Sequence, residues 1–430
     1  MRIPSASPSG AVVNFETHCT EYFHPSVLGY ILRNRAAYIA KQTHGTRALA
    51  LGVREELWKI SAAAISASCN LKPQTSATLL LSFAKTGQPF PELVKALTAH
   101  FDFDNATPKA IALTLNAFAR QPKVLQDVDN RFWEGLYDGI NRVVAEFSPC
   151  DTCASAFSIT RILAANKGRY LRHSDAPLGD LARKTLGKVY TTMLTYTEHM
   201  LTTLDVHAFT TRDLTSILQA VYESKMEVPK IVIRVLERLK KLIPTSACGI
   251  DDTLHTLGLL PPPDLVGDTI EMKRIKRDIA RAEKGFVEWS FDFLMEHLEC
   301  LKDRELARIA AACNRLRSWS SDAFAISFAE AWERLLRKNV EIPPSSLSQG
   351  ACYFLRRYEA SVSKELAAEG DAEQQNASHV SDVCARIGEK LHQYALDNYS
   401  KHDLLRVEEL IDVAEQCRAK RSAKQYQRPY

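Results

Sequence analysis

The chain has 430 residues, 46% hydrophobic and 25% charged, with a net charge of +4, a composition that supplies a core and excludes global disorder. No stretch approaches the roughly eighteen consecutive apolar residues of a membrane-spanning helix, and no secretory hydrophobic region stands near the start. Its ten cysteines are scattered through helical patterns without a disulfide-framework spacing, which fits a reducing compartment.

In chain order, residues 1–25 read as a flexible N-terminus. The first fifteen are rich in Ser and Pro with Arg2 as the sole charge, a pattern of either an organelle import segment or a loose end. From Ser26 onward nearly every segment has helical period, and no run of alternating β-branched residues appears. The fold class expected is all-α.

Two stretches 35 residues apart are nearly the same: Lys72-Pro73-Gln74 leading to Leu80-Leu81-Ser82-Phe83-Ala84-Lys85, and Thr107-Pro108-Lys109 leading to Leu115-Asn116-Ala117-Phe118-Ala119-Arg120. Self-similarity at such a period marks helix pairs that cannot bury their apolar faces without neighbours. Each proline sits at a predicted helix start, where its missing N–H costs little because first-turn donors lack intrahelical partners. Thr86 to Pro89 supplies a turn, and Pro91 to His100 reads as the second helix of the unit. Weaker copies follow at Thr211 to Tyr222, with Leu218 in the place of Leu80 and Leu115, and at Glu305 to Arg315 and Ser346 to Arg357. The architecture expected is an α-solenoid of stacked antiparallel helix pairs, armadillo/HEAT-like or octotricopeptide-like.

Three breaks are expected. Pro261-Pro262-Pro263 divides a first helical-repeat half, 26–260, from a second, 264–417. Glu369 to Ser381 reads as a surface loop, and 418–430 as a basic tail carrying Arg418, Lys420, Arg421 and Lys424 without an acid.

Catalytic signatures are missing: no phosphate cradle, dinucleotide fingerprint, nucleophile elbow or zinc-protease helix is present. No enzyme activity, cofactor or metal is therefore expected. Cys150-Asp151-Thr152-Cys153 is the one metal-like or redox-like pattern, but structural zinc wants a second pair, His173 is the nearest further ligand, and the pair follows a helix-starting Pro149 instead of a strand. Tryptophans 133, 289, 319 and 332 stand among aliphatics, where core packing is the expected use.

The charge pattern is more telling. At 100° per residue, Lys230, Arg234, Arg238 and Lys241 fall within about 80° of one another, with Val232, Val235, Leu236, Leu239 and Ile243 opposite. Lys273, Arg277, Arg281 and Lys284 repeat the same spacing 43 residues later, with Ile275, Ile279, Ala282 and Phe286 at apolar positions. Glu237, Asp278 and Glu283 dilute the stripes. Such cations can follow successive phosphates of a polyanion, can dock on an acidic protein, or can simply be solvated. Single-stranded RNA is the expected partner, because a solenoid can present long tracks to a strand. Arg315, Arg317 and Trp319, and the run Phe354-Leu355-Arg356-Arg357-Tyr358, interleave arginine with aromatics as stacking surfaces do.

The runs Leu79 to Gly87 and Leu113 to Arg120, in the form leucine, two residues, Phe-Ala, basic residue, resemble the helix-pair repeats of organellar RNA-metabolism proteins, the octotricopeptide and FAST-kinase-like group. The match covers about 80 residues, and the nuclease-like terminal domain of some of those relatives is not recognisable, so no catalytic role is carried over. The general texture is similar to helical-repeat subunits of trypanosomatid (kinetoplastid) mitochondrial assemblies, such as the RNA-editing substrate-binding complex or the mitochondrial ribosome. The resemblance implies a noncatalytic scaffold in the mitochondrial matrix that binds guide RNA and messenger RNA together with other protein subunits, without a membrane. The alternative is a structural protein–protein adaptor, or a ribosome-associated helical-repeat subunit, without direct RNA contact.

Overall fold

The computed structural model describes residues 25–43, 51–165, 178–226, 228–261, 270–316, 321–338, 342–367 and 371–395, together with Asp412, Glu415, Gln416 and Ala419. Among these residues all regular structure is helical, so the chain is all-α. It forms two compact units, Met1–Met226 and Glu227–Tyr430.

In the first unit the helices are α1 (Pro25–Thr43), α2 (Leu51–Ser66), α3 (Pro73–Lys85), α4 (Pro91–Ala99), α5 (Pro108–Arg120), α6 (Asn130–Val143), α7 (Pro149–Ala165), α8 (Asp180–Thr203) and α9 (Thr211–Ser224). Proline opens α1, α3, α4, α5 and α7, the position where the ring fits the helical φ and no hydrogen bond is lost. Contacts run between next-but-one helices: α1, α3, α5, α7 and α9 pack successively, while α2 meets α4 and α6 meets α8.

The two Phe-Ala helices pack directly on each other. Phe83 and Phe118 are both buried, with Leu80 and Leu115, whereas Lys85 and Arg120 are exposed. Burying each phenylalanine contributes about 1.5–3 kcal/mol. Polar ties reinforce the repeat: Thr107 Oγ1 donates to Gln74 Oε1 at 3.2 Å, and Gln121 Nε2 donates to the Gln88 carbonyl at 2.8 Å. The turn after α3 is made by Gly87, whose φ of 73° lies in the left-handed region that only glycine enters cheaply. The Thr211 copy is α9, opened by a capping box in which Thr210 and Asp213 satisfy each other's backbone N–H, where α3 and α5 have proline. Between α5 and α9 lies α7, a layer member whose Ile159 and Thr160 stand where Phe118 and Ala119 stand in α5.

The second unit comprises α10 (Pro229–Leu242), α11 (Gly249–Leu259), α12 (Ile270–Met295), α13 (Asp303–Leu316), α14 (Asp322–Arg337), α15 (Pro344–Ala367) and α16 (Asp371–Ala395). Here α10, α12, α14 and α16 pack in succession, as do α11, α13 and α15. Because α10 and α11 pack on α12 and α13, they belong with the helices that follow the proline run, and the compact units divide at Met226, ahead of Pro261.

The stretch expected as a loop, Glu369 to Ser381, is instead helical from Asp371. Its Glu, Gln and Ala are strong helix formers, and the buried positions Val380, Cys384, Ile387 and Leu391 continue one apolar stripe onto α14 and α15. No described helix is long and apolar enough to cross a membrane. The N-terminal stretch 1–24 and the basic tail with Arg418, Lys420, Arg421 and Lys424 lie outside the described residues.

Candidate nucleic-acid interface

The helices that carry the two cationic stripes, α10 and α12, are packed neighbours in the second unit. On α10 the apolar set forms the buried side: Ile231, Val232, Val235, Leu236, Leu239 and Leu242 are all in the core. Lys230 and Lys241 are exposed, and Arg234 and Arg238 are half-buried along the edge of that core. Lys230, Arg234 and Arg238 each have an interaction within the protein, so only part of the first stripe's field is offered to a ligand.

On α12, Arg277, Arg281 and Lys284 are exposed, while the side chain of Lys273 lies outside the described residues. Arg281 is 4.0 Å from Asp278, and Lys284 is 3.7 Å from Glu288. These are exposed pairs one helical turn apart, worth a few tenths of a kcal/mol, and a phosphate can displace them at small cost. Glu283 is not a surface diluent, since it is 4% exposed and engaged within the protein.

Lys240 joins the set without having been expected. It is half-buried where α10 meets α12, and its Nζ lies 3.6 Å from the position a Cβ would take on Gly285. Its lysine type was visible in the sequence, but its place in the junction depends on which helix packs against α10. The counterpart 43 residues on is Glu283, so the two helices differ in sign at this position.

The run Phe354 to Tyr358 is not a stacking surface. Phe354 and Tyr358 are buried, and Arg357, 9% exposed, is ion-paired with Asp322. Arg356 donates to the Asn314 carbonyl at 3.3 Å. Arg315 donates to the Gly258 carbonyl at 2.6 Å and to the Leu257 carbonyl, satisfying acceptors at the end of α11. The period of aromatics on α15 faces the core, which composition alone does not reveal. Arg317 and Trp319 lie outside the described residues. Of the other tryptophans, Trp133 and Trp332 are core and Trp289 is half-exposed.

The Cys150 and Cys153 pair sits on α7. Partial burial, together with the Asp213 carboxylate that accepts from it, raises the Cys150 thiol; full burial pushes Cys153 well up. Both effects favour the protonated thiol, the opposite of what a redox or metal-binding thiolate needs. Among the described residues no group of three or more His, Cys, Asp or Glu side chains is arranged to hold a metal ion, and His173 lies outside them.

Compared with known proteins, the sequence matches no protein-family model and no curated protein.

Proposed function

We propose that the chain is a noncatalytic RNA-binding scaffold, an α-solenoid of stacked helix pairs that acts in RNA processing or editing within a mitochondrial ribonucleoprotein complex. The reading rests on the juxtaposition of α10 and α12, which brings exposed Lys241, Arg277, Arg281 and Lys284, with Lys240 between the helices, into one part of the second unit. The next-but-one packing of the helices within each unit supports the solenoid. The Phe-Ala repeat supports kinship with the octotricopeptide and FAST-kinase-like group, and through that kinship the mitochondrial matrix and guide RNA or messenger RNA as partners.

Phosphate contacts made by these cations have a measurable signature, because each releases counterions and steepens the salt dependence by about 0.7 per contact on a single strand. The full-length variant Lys241→Glu, Arg277→Glu, Arg281→Glu and Lys284→Glu is expected to lose most single-stranded RNA affinity at low salt and to flatten the salt slope by about 2–3. Unchanged affinity and slope in the folded variant would remove the assignment from these helices.

A protein-adaptor reading has one observation in its favour, the acidic aromatic cleft described next. The two surfaces are compatible in a scaffold that holds RNA and a protein subunit together.

A further inference from the structure

A cleft of about 840 Å³ opens in the second unit among the segment that follows α10, the start of α11 and the C-terminal half of α12. One wall is a ledge of rings spaced four residues apart, Trp289 and Phe293 on α12 and His297 in the turn just past its end. Trp289 and Phe293 stack with centroids 5.5 Å apart and planes at 15°, and Phe293 and His297 are 4.6 Å apart. All three rings are half-exposed, so their apolar surface is available to a ligand. Gly249 brings the start of α11 close to this ledge, since a Cβ there would meet the Ile243 carbonyl oxygen at 2.6 Å and Phe293 Cζ at 3.4 Å. His297 Nδ1 donates to the Phe293 carbonyl at 2.8 Å, which leaves Nε2 an acceptor in the neutral ring.

The charged lining is acidic. Asp251, Asp292, Glu296 and Glu305 border the cleft, and no lysine or arginine does. Asp251 holds Arg308 at 2.6 Å, and Glu305 accepts from the Lys302 backbone N–H at 2.7 Å. Asp292 and Glu296 are exposed and have no ion pair with a described residue. Net charge shifts from basic to acidic along α12: residues 270–282 carry Lys273, Arg274, Lys276, Arg277 and Arg281 against Glu271 and Asp278, whereas residues 283–296 carry Glu283, Glu288, Asp292 and, just past the helix, Glu296 against Lys284. The helix macrodipole favours the opposite order, acids first and bases last, so helix stability does not account for the segregation.

Carboxylates beside the rings repel phosphate, and the cleft therefore does not extend the RNA surface. A ligand that gains from ring faces and carboxylates together is a planar cation: guanidinium stacks on aromatic faces and pairs with a carboxylate through two parallel N–H bonds. The ledge from residue 289 to residue 297 spans about 12 Å at 1.5 Å per residue, the reach of about four residues of extended chain. We propose that this cleft docks an arginine-bearing basic segment of a partner protein, with guanidinium against Trp289 and Phe293 and its charge met by Asp292 and Glu296. The inference stands apart from the RNA reading.

The test titrates the full chain with three fluorescein-labelled twelve-residue peptides that are identical except for Arg, Lys or Glu at alternate positions, and in parallel with labelled single-stranded RNA. The Arg peptide is expected to bind more tightly than the Lys peptide, and the Glu peptide not at all. Asp292→Asn with Glu296→Gln, two exposed and nearly isosteric changes, is expected to weaken the Arg peptide by about tenfold or more and leave RNA affinity within about twofold. Trp289→Ala should cost the Arg peptide more than the Lys peptide. Unchanged Arg-peptide affinity in the carboxylate variant would overturn the cleft assignment. Equal binding of Arg and Lys peptides would overturn the guanidinium. A carboxylate variant that loses RNA affinity instead would make RNA the occupant and overturn the proposal, whereas the stripe variant above judges the RNA reading separately.

Discussion

The pair α3 and α5 and the pair α10 and α12 each repeat a residue pattern, at offsets of 35 and 43, yet their environments repeat to different degrees. Phe83 and Phe118 are both buried, and so are Leu80 and Leu115. On the stripe helices Val232, Leu236 and Leu239 are buried, but their counterparts Ile275, Ile279 and Ala282 are half-exposed, and only Ile243 and Phe286 match in the core. Length supplies a reason: α3 and α5 have 13 residues each, whereas α10 has 14 and α12 has 26. At 1.5 Å per residue α10 is about 21 Å long and α12 about 39 Å, so α10 covers only part of its neighbour. Equal spacing gives equal packing only when both partners are of equal size.

Mutations test that contrast. Phe118→Ala should destabilise the first unit by about 3–5 kcal/mol, and Phe83→Ala by a similar amount, in denaturant unfolding. A loss below about 1 kcal/mol at either site would break the equivalence of the repeat.

Leu236→Ala should cost about 3 kcal/mol and Ile279→Ala about 1, because the second removes contacts that are partly solvent-exposed already. Equal losses would show that the stripe helices are equivalent after all.

Alkali should act on both units through buried groups that hold their protons. The Tyr190 hydroxyl donates to the Ala220 carbonyl at 3.0 Å and lies 3.0 Å from Ser224 Oγ, and burial pushes its pKa up to about 12. In the second unit burial pushes Cys384 up to about 12. With folded values above unfolded ones, the unfolded chain releases these protons first, so their stabilisation is complete below the unfolded pKa and is lost as pH rises through the folded value. For Tyr190 the window is about pH 10 to 12 and the loss about 2 kcal/mol; Tyr190→Phe should remove that part of the slope. Cys384→Ala should do the same in the second unit from about pH 9 upward.

The smallest effect expected is at helix starts. Thr210→Ala breaks the capping box of α9 and should cost about 1 kcal/mol, whereas Lys72→Ala before α3, where no side chain caps the helix, should change stability by under about 0.5 kcal/mol. A large effect at Lys72 would mean that proline at the first position does not replace the cap.

Helical period, proline at helix starts and the Phe-Ala pattern made the first-unit repeat legible, because local geometry and a shared core position leave their mark on residue type. Helix α7 has the same opening proline, but Ile159 and Thr160 replace the Phe-Ala pair, and small polar residues that bond back to their own helix, as Thr160 does to the Ala156 carbonyl at 2.8 Å, carry little pattern. Helix α16 was misread because its first residues are polar, and polarity alone does not separate a solvated helix from a loop.

The cationic stripes are legible in the sequence, but not which cations remain open to a ligand. Arg234 and Arg238 face the edge of a core, Glu283 is buried, and Lys240 lies in a helix junction. The ring ledge was likewise hidden, since Trp289 and Trp332 look alike among aliphatic neighbours and only one of them faces a cleft.

The sequence by itself determined the all-α class, the proline-marked helix starts and the faces that must be apolar, because these follow from backbone geometry and from a period of 3.6 residues acting over short range. Only the tertiary structure decided which helices adjoin, which charges are consumed internally and where an aromatic face meets solvent. Those outcomes depend on pairings between residues far apart in the chain, and one helix's pattern does not name its neighbour.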